Sequence, residues 1–174
     1  MNTLIGTNYF ELFGLTPKFT IDQNILEQSF RRLQAEMHPD RFVAGTEAEK
    51  RIAIQQSSML NDGYRTLRHA STRAEFLIHL FGKDLANSNV SSAFLMAQME
   101  WREAIEEARG VNDVHVLEDL SRRLRQVIIA QEKELAKTLD EHGDFNAATQ
   151  RVNELRFYEK LRVEIDTALD VLDR

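Results

Sequence analysis

The chain lacks cysteine entirely, which excludes disulfide bonds, thiolate ligation of zinc or iron–sulfur clusters, and cysteine nucleophiles. Its 174 residues include only two prolines and seven glycines, and this scarcity of turn residues favours long helices over an all-β fold. No apolar run is long enough to span a bilayer. The formal charge of −6 argues against a broad nucleic-acid-binding surface.

Signals for export and for catalysis are also missing. The first ten residues, MNTLIGTNYF, have neither the charged start and long apolar core of a signal peptide nor the arginines of a mitochondrial leader. We therefore expect a location in the bacterial cytosol. The sequence has no P-loop, no serine-nucleophile motif and no cluster of metal ligands, so we expect no enzymatic activity, no cofactor and no metal site.

Helical periodicity organises the first half of the chain. Asp22 is a favourable N-cap, and the helix after it should end near Met37, because Pro39 has no amide hydrogen to donate. Helical pattern resumes at Thr46, with Glu49 three residues later as in a capping box. The apolar face of the first of these helices consists of Leu26, Phe30, Leu33 and Met37. The inner face of the second is predicted to contain Ile52, Met59, Leu60, Tyr64 and Leu67.

The second half contains three further helical segments, predicted at about 92–108, 114–141 and 144–172. Gly110 and Gly143 mark the joins between them, and such short joins between amphipathic helices imply antiparallel packing. The sequence therefore predicts an all-α fold, with an N-terminal helical hairpin followed by a C-terminal three-helix bundle. We expect domains at 1–76 and 91–174, joined by a connecting segment at 77–90 that includes GKDLANSNV.

The break between the first two long helices reads His38-Pro39-Asp40. An ordinary polar loop with a proline helix stop is one interpretation of these three residues. Their context favours another, because the stretch YFELFGL precedes the two helices and LNDGYRTLR ends the second. This arrangement resembles the J-domain, the co-chaperone module that drives ATP hydrolysis in DnaK-type chaperones. The matching residues are Tyr9, Leu12, Phe13, Gly14, Leu15, Phe30, Leu33, His38, Pro39, Asp40, Leu60, Asn61, Tyr64, Leu67 and Arg68.

The resemblance implies roles for the three residues of the break. Asp40 would engage an arginine of the chaperone's nucleotide-binding domain through its carboxylate. Pro39 would stiffen the loop and so reduce the entropy lost on docking, and His38 would add a planar donor and acceptor.

The resemblance also implies a basic patch that approaches the chaperone, formed by Arg31, Arg32 and Arg41. A solvated helix face is the alternative interpretation of these arginines. Many general J-domains carry a base where this sequence has Glu27, which suggests a specialised chaperone partner.

The whole chain resembles the HscB family, the dedicated J-proteins of iron–sulfur cluster assembly. Three stretches carry the resemblance: residues 55–78, residues 93–107 (AFLMAQMEWREAIEE) and residues 155–162 (LRFYEKLR). It implies two protein partners, an HscA-type chaperone for the J-domain and the scaffold protein IscU for the C-terminal domain. Neither nucleic acid nor membrane is expected as a partner.

A helical projection at about 100° per residue separates two faces of the segment 92–108. One face consists of Phe94, Trp101, Ile105 and Ala108. Leu95, Met96 and Met99 fall roughly opposite, together with the acids Glu100, Glu103 and Glu107. Phe157 lies about 200° from Leu155 and thus away from the inner stripe of its own helix.

These outlying apolar residues could belong to the core, packed against other helices. The HscB resemblance instead implies that Leu95, Met96, Met99 and Phe157 bind the scaffold, with Glu100, Glu103 and Glu107 as rim contacts. Two alternatives to the predicted function stay open. One is a J-domain protein with a different client, and the other, more remote, is a helical adaptor that binds nucleic acid through SRRLRQ, residues 121–126.

Overall fold

A computed structural model describes residues 8–38, 40, 45–83 and 91–172 of the chain. Throughout these ranges the regular structure is helical, which confirms the predicted all-α fold class. The helices are α1 (Tyr9–Leu12), α2 (Gln23–Met37), α3 (Glu47–Arg68), α4 (Ala70–Leu80), α5 (Ser92–Gly110), α6 (Val114–Ala136) and α7 (Phe145–Leu172). None of the helices in the described ranges has the length and apolar character needed to cross a bilayer. The chain divides into two compact units, Met1–Lys83 and Asp84–Arg174.

Local capping begins the two long helices of the first unit, as the sequence predicted. The carboxylate of Asp22 accepts a hydrogen bond of 2.8 Å from the Asn24 amide at the start of α2. At the start of α3, the Thr46 amide donates to the Glu49 carboxylate at 2.8 Å and the Glu49 amide donates back to the Thr46 hydroxyl at 3.3 Å. Because the carboxylate accepts from the backbone and the hydroxyl of Thr46, the pKa of Glu49 is lowered.

The helices α2 and α3 pack against each other as a hairpin. The rings of Phe30 and Tyr64 stack across it with centroids 4.1 Å apart. One predicted inner position is wrong, because Ile52 is exposed and the neighbouring Ala53 is fully buried. The buried positions of the hairpin are Leu26, Leu33, Ala53, Leu60, Gly63 and Leu67. Ala53 is in phase with the other inner residues of α3, but its small side chain is not part of a pattern of large apolar residues.

Gly63 allows α1 to approach α3 closely. A Cβ atom at this position would lie 2.9 Å from Cδ1 of Tyr9 and 3.2 Å from Cε2 of Phe13. The Tyr9 ring has little room to move, since it stacks on Phe76 at a centroid distance of 4.6 Å. The glycine therefore serves packing at a helix crossing rather than a turn.

We expect Gly63→Ala to lower the free energy of unfolding by about 1–2 kcal/mol, because overpacking outweighs the gain in helix propensity. Gly110→Ala is a matched control, since a Cβ placed there meets no described atom within 4 Å beyond its chain neighbours and its own helix backbone, and it should stabilise by up to about 1 kcal/mol. Urea denaturation followed by circular dichroism measures both, and the single tryptophan, Trp101, reports the second unit by fluorescence. Equal effects of the two substitutions would contradict the packing role.

The buried side chain of Arg73 on α4 joins two distant segments of the first unit. Its Nε donates to the carbonyl of Phe19 at 2.7 Å, its Nη1 donates to the carbonyl of Leu67 at 2.7 Å, and the guanidinium lies 4.8 Å from the Phe19 ring. The helix continues through Leu77 and Ile78, both buried. The predicted connecting segment 77–90 therefore begins inside a helix, because these side chains belong to the core, while residues 84–90 lie outside the described part of the chain.

In the second unit α6 packs along α7, and α5 lies against both, as predicted for a three-helix bundle. The predicted helix 114–141 consists of α6 followed by a π-helical segment, Lys137–Glu141. The buried residues of the bundle include Phe94, Ile105, Leu117, Leu120, Leu124, Ile128, Leu135, Val152, Leu155, Tyr158, Leu161 and Ile165. Burial raises the pKa of the Tyr158 phenol, and the nearby Glu154 adds to the shift.

The turn between α5 and α6 differs from the prediction that Gly110 marks it as a C-cap or turn residue. Gly110 is the last residue of α5, and Asn112 instead adopts the left-handed conformation with φ of 53°. Asparagine tolerates this region better than most residues with a side chain. The predicted turn glycine at 143 does have positive φ, at 62°.

Candidate functional site

An imidazole and a carboxylate are exposed just after α2, and a local hydrogen bond joins the imidazole to the backbone of the residue that bears the carboxylate. His38 leaves the helix in an extended conformation (φ −61°, ψ 129°), and its Nδ1 accepts from the Asp40 amide at 3.3 Å. Because Nδ1 is the acceptor, the neutral imidazole carries its proton on Nε2. The side chain of Asp40 is 86% exposed, with Oδ2 3.6 Å from the imidazole Nδ1. The predicted site residues Pro39 and Arg41 lie outside the described residues.

Each predicted arginine of α2 has an acid partner within the same helix. Arg31 forms an ion pair with Glu27, one turn earlier, and Arg32 lies 3.6 Å from the carboxylate of Glu36, one turn later. These four residues are the only charged side chains of α2, so the helix has no net formal charge. The two arginines that α2 contributes to the predicted basic patch are thus each paired with an acid, and the patch stays a prediction.

The outer face of α5 carries exposed apolar side chains. Leu95, Met96 and Met99 are 49%, 62% and 63% exposed, whereas Phe94 and Ile105 on the inner face are buried. The acids of the same helix, Glu100, Glu103 and Glu107, are exposed as well. The three apolar residues thus contribute to the surface rather than to the core of the bundle.

Phe157 on α7 is half-buried and contacts α5. Its ring meets the edge of Phe94 at a centroid distance of 5.5 Å, and the guanidinium of Arg102 lies 5.8 Å from its centroid. Phe157 therefore supports the packing of α5 on α7 while part of its ring stays accessible. Arg102 was missed in the sequence, although it follows Leu95 by seven residues and so lies on the same side of α5.

The arginines of residues 121–126 are largely engaged within the second unit. Arg122 forms an ion pair with Asp119, and the guanidinium of Arg123 lies 5.5 Å from the Trp101 ring. Leu124, which follows them, is buried. This geometry offers no specific support for the nucleic-acid alternative. In the parts of the chain that the structure describes, no group of three or more His, Asp or Glu side chains is placed to hold a metal ion.

Comparisons with known proteins place both halves of the chain in one family. The family model for the HSCB C-terminal oligomerisation domain matches residues 90–166. Proteins named "Co-chaperone protein HscB homolog" from Aromatoleum aromaticum and from an Azoarcus species are 44% and 46% identical to this chain. The first match covers 99% of both proteins, and the second covers 95% of this chain and 96% of its relative.

Solved structures agree with these matches. Chaperone HscB from Vibrio cholerae superposes with a TM-score of 0.84 at 34% identity and covers 95% of this chain and 99% of its own. The human co-chaperone HscB superposes with the same TM-score of 0.84, over 94% of this chain and 82% of its own. At 22% identity, this second match is evidence for the fold only. The capped helical hairpin, the three-helix bundle and these full-length matches lead to one conclusion: the chain belongs to the HscB family of co-chaperones.

Proposed function

We propose that this chain is a cytosolic bacterial co-chaperone of iron–sulfur cluster assembly with two docking surfaces. The first unit stimulates the ATPase of an HscA-type chaperone, and the second binds the scaffold protein IscU. The chaperone-facing surface consists of His38, Pro39 and Asp40 with Arg31, Arg32 and Arg41. The scaffold-facing surface consists of Leu95, Met96, Met99 and Phe157, with Glu100, Glu103 and Glu107 at its rim.

The observation that carries the proposal is the exposure of Leu95, Met96 and Met99 on α5. The bundle already buries the opposite face of this helix, so these side chains are not needed for its packing. Methionine adapts its shape to a partner, and an apolar patch beside charged residues is typical of protein-binding sites. The neighbouring acids suit a partner with basic residues around an apolar contact.

The chaperone-facing surface is supported by the chemistry of the loop after α2. An exposed carboxylate such as that of Asp40 can form strong, charge-assisted hydrogen bonds with an arginine. The bond from the Asp40 amide to the His38 imidazole ties these two residues to each other, which reduces the entropy that they lose when a partner docks. The chain contributes binding groups here, and ATP hydrolysis takes place on the chaperone.

Two separate surfaces on one chain would couple client delivery to ATP hydrolysis. When the scaffold binds the second unit, its effective concentration near the chaperone rises. Simultaneous docking then makes stimulation and client capture coincide.

Steady-state ATPase turnover of the HscA-type chaperone tests the proposal, with this chain alone, with IscU alone and with both. We expect stimulation by the pair to exceed the sum of the separate effects. Merely additive rates would contradict the coupling of the two surfaces. Stimulation without any binding of IscU in a pull-down would favour the alternative of a J-domain protein with a different client.

A further inference from the structure

The two ion pairs of α2 differ in geometry. In the pair of Glu27 with Arg31, the acid precedes the base by four residues, which is the favourable orientation on a helix. In the pair of Arg32 with Glu36 the order is reversed, and the atoms are 3.6 Å apart rather than in direct contact. Arg31 is therefore held within α2 more firmly than Arg32.

We infer that Glu27 is a positioning residue of the chaperone-facing surface, which holds Arg31 back from the partner and leaves Arg32 as the more available of the two arginines of α2. This inference rests on the proposed function of that surface. The partner face must then present both signs of charge, a basic group for Asp40 and an acidic group for Arg32.

An exposed ion pair contributes little to stability, but its two opposite charges still cancel each other as seen by an approaching partner. At physiological salt the Debye length is about 8 Å, which exceeds the separation of the charges within each pair. At long range the two glutamates therefore offset the two arginines of α2, whereas at contact the looser pair leaves Arg32 able to turn toward an acidic group of the partner. Removing the Glu27 charge should therefore increase the dependence of association on salt, because α2 then carries one net positive charge.

Glu27→Gln tests the inference by measuring the association rate of the full-length chain with the HscA-type chaperone at low and high salt. The substitution frees Arg31, so we expect the rate to rise about two- to fivefold at 50 mM salt and to match the wild type at about 500 mM. Adding Arg31→Gln should return the rate to the wild-type value. As single changes, Arg32→Gln should slow association at least about twofold more than Arg31→Gln.

Asp62→Asn is the matched control. Asp62 forms an ion pair of 2.7 Å with Arg65 on α3, and the two side chains are 48% and 76% exposed, against 46% and 74% for Glu27 and Arg31. This control removes the same charge from the same unit but from another helix, so it should leave the association rate nearly unchanged.

The outcomes separate the inference from the proposed function on which it rests. If Glu27→Gln and Asp62→Asn change the rate equally, or if Arg31→Gln costs as much as Arg32→Gln, the role of Glu27 is wrong. Asp40→Asn is measured in parallel. Loss of stimulation in Asp40→Asn with no effect of Glu27→Gln overturns the inference alone, whereas full stimulation by Asp40→Asn overturns both.

Discussion

Replacement of Asp40 by asparagine is expected to abolish stimulation of the chaperone ATPase while leaving the affinity for the scaffold unchanged. The side chain keeps its size but loses the charge that an arginine of the chaperone would bind, and hydrogen bonds to charged groups contribute about 1.5–3 kcal/mol. The folded structure should tolerate the change, because the side chain is exposed and the bond to His38 uses the backbone amide.

Two measurements check this expectation. ATPase turnover gives the stimulation, and isothermal titration calorimetry gives the dissociation constant for IscU. Asp62→Asn, on α3 of the same unit, controls for the loss of one negative charge. A fall in scaffold affinity comparable to the fall in stimulation would show that the two surfaces are not separate.

Replacement of Met96 by aspartate is expected to weaken scaffold binding at least about tenfold. Met96 lies on the exposed face of α5 beside acidic residues, so a further negative charge would be placed where an apolar contact is required. Met99→Ala removes contact area without adding charge and should cost about 1–3 kcal/mol of binding free energy if this residue is a hot spot. Neither change removes a buried side chain, so the stability of the bundle should change little.

Ile129→Asp provides the matched control for Met96→Asp. Ile129 is 51% exposed on α6, so the same kind of substitution is made in the same unit but on another helix. The affinity for IscU is measured for both variants. ATPase stimulation in the absence of IscU is measured as well, and it should be the same for both. The scaffold-facing surface is wrongly assigned if Met96→Asp and Ile129→Asp bind IscU with the same affinity.

Phe157→Ala is a less selective test of the scaffold-facing surface. The Phe157 ring also packs on Phe94, so its removal would disturb the bundle as well as the surface.

Local signals in the sequence were sufficient for the helix boundaries near the candidate site. Asp22, Thr46 and Glu49 cap their helices as predicted, since a capping bond joins residues only two or three positions apart. The exposed face of α5 was also predictable, because helical periodicity decides which side chains share a face. The pairing of Glu27 with Arg31 follows from spacing as well, although it became evident only with the side chains in place.

Contacts between distant segments could not be predicted in this way. Nothing near Gly63 in the sequence indicates that the rings of Tyr9 and Phe13 lie against it, and nothing near Arg73 indicates a bond to the carbonyl of Phe19. The guanidinium of Arg102 reaches Phe157 only because α5 and α7 pack together.

The sequence by itself therefore determined the helices, their caps, their exposed faces and the family resemblance, because these depend on spacing along the chain. The tertiary structure alone decided that Ala53 rather than Ile52 is buried, that Gly63 permits a close helix crossing, and that Phe157 is shared between core and surface. Those outcomes depend on the distance between helices and on side-chain volume, and neither quantity is contained in a local pattern.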